Sequence, residues 1–550
     1  MYREIRGLHE AAYILAVFAL GSQVLALVRD RLMAHQFGAD ATLDVYYAAF
    51  RIPDLLFAIF ASILSVYVLI PFVADRMLES VEKARALMSA VFTWFLVGYG
   101  ITALVIFIGA REIAALFFSG FGHVEQTLLV LVMRILLLQS FFLSLSGLFG
   151  VVTQLHRKFV LYAVSPLLYN IGIIIGVVVF YPPMGLAGLA VGVVLGALLH
   201  LLVQAPFVMH SGLFPKVSKG IDWALLKVIS KSSLPRAFTL MLQQFVLLAL
   251  TGVATFMATG SVSVLQFAYN LQSVPLAVIG VSYSVAAFPT LARLYSVGDR
   301  AAFLQHVYTA LRHIIFWSIP ATALFIVIRA QLVRVILGSG AFDWNDTRLT
   351  AATLALFIFS LAAQAVHLLV VRAYYAAGNT RTPLAVTLVS SAGIVCAAAS
   401  FHLLYRHAPV FAYVLADLFR VEDIAGTEVL IVPLAFSSVF IIHSIVLVWL
   451  FIRQYGVDIG GNLRRVLVQS LGAGITLAAA SYAALNLLVE GFRVDTFMGV
   501  FMQGLIAGII GISAATVFLA SAGSYELKEV SGALRRRFWK TRPIAPQEKE

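Results

Sequence analysis

Residues 27–54 read LVRDRLMAHQFGADATLDVYYAAFRIPD and carry seven ionisable groups: Arg29, Asp30, Arg31, Asp40, Asp44, Arg51 and Asp54. The 550-residue chain around them is 61% hydrophobic and 12% charged, with a mean hydropathy of +0.96. A soluble chain carries about twice that charged fraction. Apolar runs of about 20 residues, enough to cross a bilayer as a helix, recur on both sides of the stretch and on to the end. The expected fold class is an all-α polytopic membrane protein, because the runs are continuous whereas β-barrel strands alternate. A charge at the bilayer centre costs at least about 2.5–3.5 kcal/mol. Two readings of the cluster follow. In the interfacial one, Arg29, Asp30 and Arg31 cap the first span, and Arg51 snorkels or pairs with Asp54, three residues on along the same helix face. In the functional one, Arg29 and Arg51 face a wet cavity and meet an anionic headgroup, a task suited to the planar, permanently charged guanidinium fork.

Spans are expected near 11–28, 44–74, 88–110, 127–151, 159–180, 184–209, 233–258, 262–293, 308–330, 350–377, 383–405, 428–453, 465–489 and 495–522, about fourteen in all. The first run lacks a small-residue cleavage site and reads as a span, not a signal peptide. Lys and Arg accumulate on the cytoplasmic side of membranes. With the N-terminus inside, and residues near span ends counted with the adjoining segment, 27 of the 38 Lys and Arg fall on inner segments and 9 on outer loops, leaving Arg51 and Arg134 deeper within spans. Both termini are therefore expected in the cytoplasm. The net charge of +12 suits the anionic lipid of a cytoplasmic leaflet better than nucleic acid. The single cysteine, Cys396, excludes an intrachain disulfide and a cysteine-cluster metal site.

The chain also resembles itself. YYAAFRIPDLLFAIFASILSVYVLIPFVADRM (46–77) matches LQFAYNLQSVPLAVIGVSYSVAAFPTLARLY (265–295) in small, aromatic and proline positions. ALFFSGF (115–121) pairs with VILGSGAF (335–342), and GVVTQLHRKF (150–159) with AYYAAGNTRTP (373–383). A common offset near 220 residues makes two six-helix lobes related by a parallel repeat, plus two C-terminal helices, as in alternating-access carriers. The expected divisions are an N-terminal lobe (1–210), a cytoplasmic amphipathic linker (211–232), a C-terminal lobe (233–427, completed by the span 428–453), two further spans (454–522) and a basic cytoplasmic tail (523–550).

With those segments in hand, LVRDRLMAHQFGADATLDVYYAAFRIPDLL resembles the signature of the lipid II flippase family (MurJ/MviN) of the multidrug, oligosaccharidyl-lipid and polysaccharide exporter superfamily. That signature runs G-x-x-R-D, F-G-A, then D-A-F-x-x-A-F-R-I-P-N-L-L. The resemblance continues through IPFVADRM, ALFFSGF, HRKFVLYAVSPLLYNIG, SVPLAVIGVSYSVAAFPTLARL and RAYYAAGNTRTPLAV. It implies fourteen helices in the bacterial inner membrane and movement of an undecaprenyl-diphosphate-linked peptidoglycan precursor, with anionic lipids and proteins of cell-wall synthesis as candidate partners. It keeps the family's Arg-Asp pair as Arg29 and Asp30, a following aspartate as Asp44 and the basic residue before Ile-Pro as Arg51. Other family positions differ here: an arginine becomes Gln23, an arginine pair becomes Phe57 and Ala58, and a glutamate becomes Ser62. The second lobe's cavity arginine becomes Asn270, and a sodium-site aspartate becomes Leu250. On this reading Arg29 and Arg51 hold the diphosphate, Asp30 and Asp44 orient them, and Gln23 and Asn270 line the path.

The remaining polar residues of the cavity-facing helices are neutral: Asn170, Gln243, Gln244, Gln266 and Gln272 join Gln23 and Asn270. Taken singly, each reads as an interhelical hydrogen bond worth under about 2 kcal/mol. PKVSKGIDWALLKVISKSS (215–233) and LRRRFWK (534–540) read as basic surface segments. The outer segment 406–427 has no assigned role. His35, His367 and His443 lack ligand spacing, so no metal or other cofactor is expected, and no P-loop is present. The reading is a transporter and not an enzyme. Its alternative is a divergent paralogue exporting another lipid-linked oligosaccharide or acting as a membrane scaffold. A glycosyltransferase would want a larger charged outer loop, and a cation antiporter a carboxylate deep in a span, for which only Asp54 qualifies.

Overall fold

The computed structural model describes the backbone of residues 8–218, 223–456, 460–488 and 496–538, and the side chains of these except 8–16, 66–67, 223–236, 460–462 and 533–538. Every regular element among the described residues is helical. The first half of the chain forms α1 (Leu8–Phe37), α2 (Ala41–Ala49), α3 (Arg51–Ile63), α4 (Val66–Glu79), α5 (Val81–Ile108), α6 (Ala110–Phe117), α7 (His123–Leu155), α8 (Phe159–Ile175), α9 (Tyr181–Met184), α10 (Leu186–Leu202), α11 (Ala205–His210) and α12 (Trp223–Ala254). The second half forms α13 (Ser261–Leu276), α14 (Ser282–Ser296), α15 (Arg300–Val327), α16 (Arg329–Ile336), α17 (Trp344–Phe359), α18 (Leu361–Ala376), α19 (Arg381–His407), α20 (Pro409–Phe419), α21 (Ile431–Tyr455), α22 (Gly460–Leu488), α23 (Phe497–Ser521) and α24 (Tyr525–Phe538).

Among the described residues twelve helical runs are long and apolar enough to cross a bilayer, or thirteen if α17 and α18, bent by 42° at Ser360, form one span. The first expected span falls on α1, which is not in that number and whose side chains through residue 16 lie outside the description. The expected span 44–74 lies within one such run, Ala41–Glu79, which comprises α2, α3 and α4. The segment 406–427, expected as a loop, contains the helix α20. Of the two basic surface segments, residues 219–222 and the side chains of 223–236 and 533–540 lie outside the description.

Two compact units result. The first comprises Met1–Leu271, Ile336–Leu356 and Thr380–Val439; the second comprises Gln272–Val335, Phe357–Asn379 and Phe440–Glu550. Lipid tails are as apolar as leucine, so helices in a membrane associate through close packing of small residues. The first unit does this where α8 meets α10. Gly172 and Gly176 face Gly192 and Gly196, and a Cβ on Gly172 would stand 2.2 Å from the Gly196 Cα. Elsewhere in this unit Phe60, Phe95, Tyr99 and Phe141 stack into one aromatic core between α3, α5 and α7. In the second unit α15, α22 and α23 pack around Phe316, Ala473, Leu477, Ala515 and Leu519.

The duplication is visible as contacts within the first unit. Gly120 of ALFFSGF lies against the end of α12, where an added Cβ would come 2.3 Å from the Thr255 carbonyl oxygen. Gly340 of VILGSGAF lies against the end of α1, where an added Cβ would come 2.3 Å from the His35 carbonyl oxygen. Gly340 is 220 residues beyond Gly120, and Thr255 is 220 residues beyond His35. Each repeat thus seats its Ser-Gly turn on the first helix of the other, the reciprocal pattern that a two-fold relation imposes on an interface.

Candidate functional site

The charged stretch of the sequence folds into a chain of hydrogen bonds crossing five helices of the first unit. The Arg29 guanidinium turns back on its neighbour: Nη2 and Nε donate to Asp30 Oδ1 at 2.7 and 2.9 Å. Its Nη1 donates to Asn170 Oδ1 on α8 at 3.2 Å, and Asn170 Nδ2 donates to Ser22 Oγ at 3.3 Å. The other Asp30 oxygen accepts from Asn270 Nδ2 on α13 at 3.0 Å. Gln266, one turn earlier on α13, donates to Asn270 Oδ1 at 2.7 Å. Its own Oε1 accepts from Arg51 Nη2 at 2.6 Å, and Arg51 Nε donates to Thr251 Oγ1 on α12 at 2.8 Å. Arg29 and Arg51 are therefore linked through Asp30, Asn270 and Gln266.

The two arginines differ electrostatically. Arg29 is ion-paired with Asp30, which is 4% exposed. Arg51 makes no ion pair within 4 Å among the described residues; its hydrogen-bond acceptors are a neutral hydroxyl and a neutral amide. Asp54 lies within electrostatic reach of Arg51 and against Gln139. Aromatic walls close the cluster: Tyr46 packs edge-on to Tyr47 and Phe50, and Tyr47 edge-on to Phe267. The Tyr47 hydroxyl and Gln139 Oε1 are buried without a hydrogen-bond partner.

Of the six residues expected to bind substrate, Arg29, Asp30, Arg51 and Asn270 are joined in this chain. Gln23 follows Ser22 on α1 and is partly exposed, outside the chain of bonds. Asp44, expected to orient an arginine, is turned elsewhere. Its Oδ2 accepts from Gly260 N at 2.7 Å, and its Oδ1 accepts from Ser263 N at 2.8 Å and Ser263 Oγ at 2.7 Å. A carboxylate is drawn to the free N–H groups and positive dipole at a helix start, and α13 begins at Ser261. Around it the same end of the unit is sewn together by backbone. Ala341 N donates to His35 O at 2.9 Å, Ala39 N to Asp346 Oδ2 at 3.3 Å, and Ala258 N to Glu428 Oε1 at 2.9 Å. Gln266, Thr251 and Asn170 complete the hydrogen-bonded chain; Gln266 and Asn170 stood in the sequence only among the neutral polar residues, and Thr251 had no signal at all.

The second unit holds a histidine pair hidden by 76 residues of separation. His443 Nε2 and His367 Nδ1 are 2.8 Å apart, both buried, with Phe440 packed on each ring. No group of three or more candidate metal ligands occurs among the described residues.

Solved structures share this helical fold. An inward-facing multidrug resistance MATE family transporter of the MOP superfamily aligns with a TM-score of 0.64 at 14% identity, over 78% of this chain and 94% of that one. A lipid II flippase MurJ in an inward closed conformation aligns with a TM-score of 0.71 at 21% identity, over 92% of this chain and 99% of that one. In sequence, residues 33–501 match the family described as lipid II flippase MurJ. A probable lipid II flippase MurJ of Haemophilus influenzae is 30% identical over 389 residues, 67% of this chain and 76% of the relative. The chain belongs to the lipid II flippase MurJ family.

Proposed function

We propose that this protein carries lipid II across the bacterial cytoplasmic membrane by alternating access, with the lobes 1–210 and 233–453 rocking about the headgroup while the polyprenyl tail stays in lipid. Both termini lie in the cytoplasm on this reading, and the Asp44 end of the first unit faces outward. The observation that supports it most is the linked pair Arg29 and Arg51, in which Arg51 keeps its charge unmatched by a carboxylate in ion-pair contact. A diphosphate arriving at Arg51 displaces the neutral partners Thr251 and Gln266 and meets the guanidinium fork, where charge-assisted bonds are about twice as strong as neutral ones. Asp30 holds Arg29 in place and Asn270 relays position between the two. No covalent step is required of these residues.

Complementation tests this. In a cell depleted of its own lipid II flippase, the wild-type chain should restore growth, Arg51→Ala should abolish rescue and Arg29→Ala should weaken or abolish it at equal membrane abundance. Failure of the wild-type chain to rescue, with normal insertion, would assign the site to another lipid-linked glycan. Rescue by Arg51→Ala would remove Arg51 from the transport route.

A further inference from the structure

Arg134 lies well inside the expected span 127–151, and the cluster above does not include it. It stands on α7 level with the last turn of α5. Its Nε donates to the Phe107 carbonyl oxygen at 2.9 Å, and its guanidinium carbon lies 4.7 Å from the centroid of the Phe107 ring. The carbonyl contact has a local cause. The helix breaks at Gly109, so no backbone donor from α6 reaches the Phe107 oxygen, and Arg134 caps it. That contact occupies one of five guanidinium N–H groups. Among the described residues Arg134 has no carboxylate within ion-pair distance and no other hydrogen bond. The edge formed by Nη1 and Nη2 is open.

The surroundings identify what that edge faces. Leu131 and Leu138, three residues before and four after on the same side of α7, are 45% and 53% exposed. On α5, Leu104, Val105 and Ile108 are also exposed apolar side chains. In a membrane helix such a face meets lipid. Lys83 and Arg85 mark one membrane surface at the start of α5. From Arg85 to Phe107 the helix climbs about 33 Å, close to the hydrocarbon thickness of about 30 Å. Arg134 therefore stands at the opposite boundary between hydrocarbon and headgroups, which is the level of lipid phosphates. The one acidic residue near this break in sequence, Glu112, is exposed and follows the exposed Arg111.

We propose that Arg134 forms a lipid-phosphate site. Nη1 and Nη2 hold the phosphodiester of an anionic glycerophospholipid, whose acyl chains lie along Leu131, Leu138 and Val105. The leaflet is the outer one in the topology proposed above, but the site does not depend on that orientation or on the transported substrate.

Native mass spectrometry of the detergent-purified full chain, titrated with phosphatidylglycerol, tests it. The first lipid should bind about tenfold more weakly to Arg134→Gln than to wild type, a loss of about 1.4 kcal/mol. Glutamine retains a donor for the Phe107 carbonyl, so the thermal unfolding midpoint should hold and separate lipid loss from misfolding. Arg134→Lys, which keeps the charge without the fork, should lose less; it carries the test should the glutamine variant not fold. Equal phosphatidylglycerol affinity in wild type and the variants overturns the proposal. So does full displacement of the lipid by an equal concentration of inorganic phosphate, because the site would then bind the free anion and not a lipid.

Discussion

Replacing Asp44 should loosen the end of the first unit where α2 meets the start of α13. The carboxylate accepts three hydrogen bonds, from Gly260 N, Ser263 N and Ser263 Oγ, all between 2.7 and 2.8 Å, at a residue only 4% exposed. In Asp44→Asn one oxygen still serves Ser263, but the amide turns a donor toward the Gly260 N–H. Losing one hydrogen bond to a charged acceptor costs about 2 kcal/mol, a factor of about 30 in the equilibrium constant for this contact. Asp44→Ala removes every acceptor and strands two buried backbone donors, for about 4 kcal/mol and a factor near 10³. The contact joins α2 to the start of α13, so its loss should favour states in which these helices separate. Cysteines placed at Ala39 and Thr259 in a Cys396→Ser background report the separation through the rate of a short bifunctional cross-link. Gly260, beside Thr259, lies against Ala39 in the closed contact. Cross-linking should fall in the order wild type, Asp44→Asn, Asp44→Ala. A folded Asp44→Ala protein that cross-links as fast as wild type would refute the reasoning, because the carboxylate would then contribute nothing to closure.

Other outcomes follow from the same coordinates. Gly120→Ala and Gly340→Ala should each lower the thermal midpoint, since a Cβ meets a carbonyl oxygen at 2.3 Å in both; overpacking of this kind costs about 1–3 kcal/mol. Gly340→Ala should be the worse, because Gly340 also has φ +58, a conformation that disfavours a side chain. His367→Ala and His443→Ala should be non-additive in a double-mutant cycle of thermal stability by about 0.5–3 kcal/mol, and additive effects would mean that the 2.8 Å contact carries no energy. Asp423 is held below the usual carboxylate range by its hydrogen bonds to Arg348. A depressed folded-state value stabilises above the unfolded pKa of about 3.9 and is lost as pH falls through the folded value. The amide-exchange protection factor at 420–427, with the intrinsic pH dependence divided out, should therefore fall on acidification in wild type and stay constant in Asp423→Asn.

The sequence alone determined the chemical class of every layer. Continuous apolar runs can satisfy their backbone in lipid only as helices, so the all-α bundle follows from composition and run length. The 220-residue offset fixed the duplication, and the reciprocal seating of Gly120 and Gly340 is its three-dimensional consequence. Arg29 and Asp30 stood out as a charged pair beside the first span, Arg51 as a charge inside the second, where it is costly and needs a polar partner, and Asn270 through the family resemblance. Tertiary structure decided which partner each one has. Asp44 looks like an arginine's partner along the chain, but the start of a helix 216 residues away offers three donors at once. His367 and His443 look isolated until α18 and α21 bring them together. Gln266 is one neutral amide among several in the sequence, and Thr251 carries no signal, until Arg51 reaches across to them. Local sequence sets what a side chain needs, whereas the packing of distant helices sets which group supplies it, and that choice separates a structural charge from one free to hold a ligand.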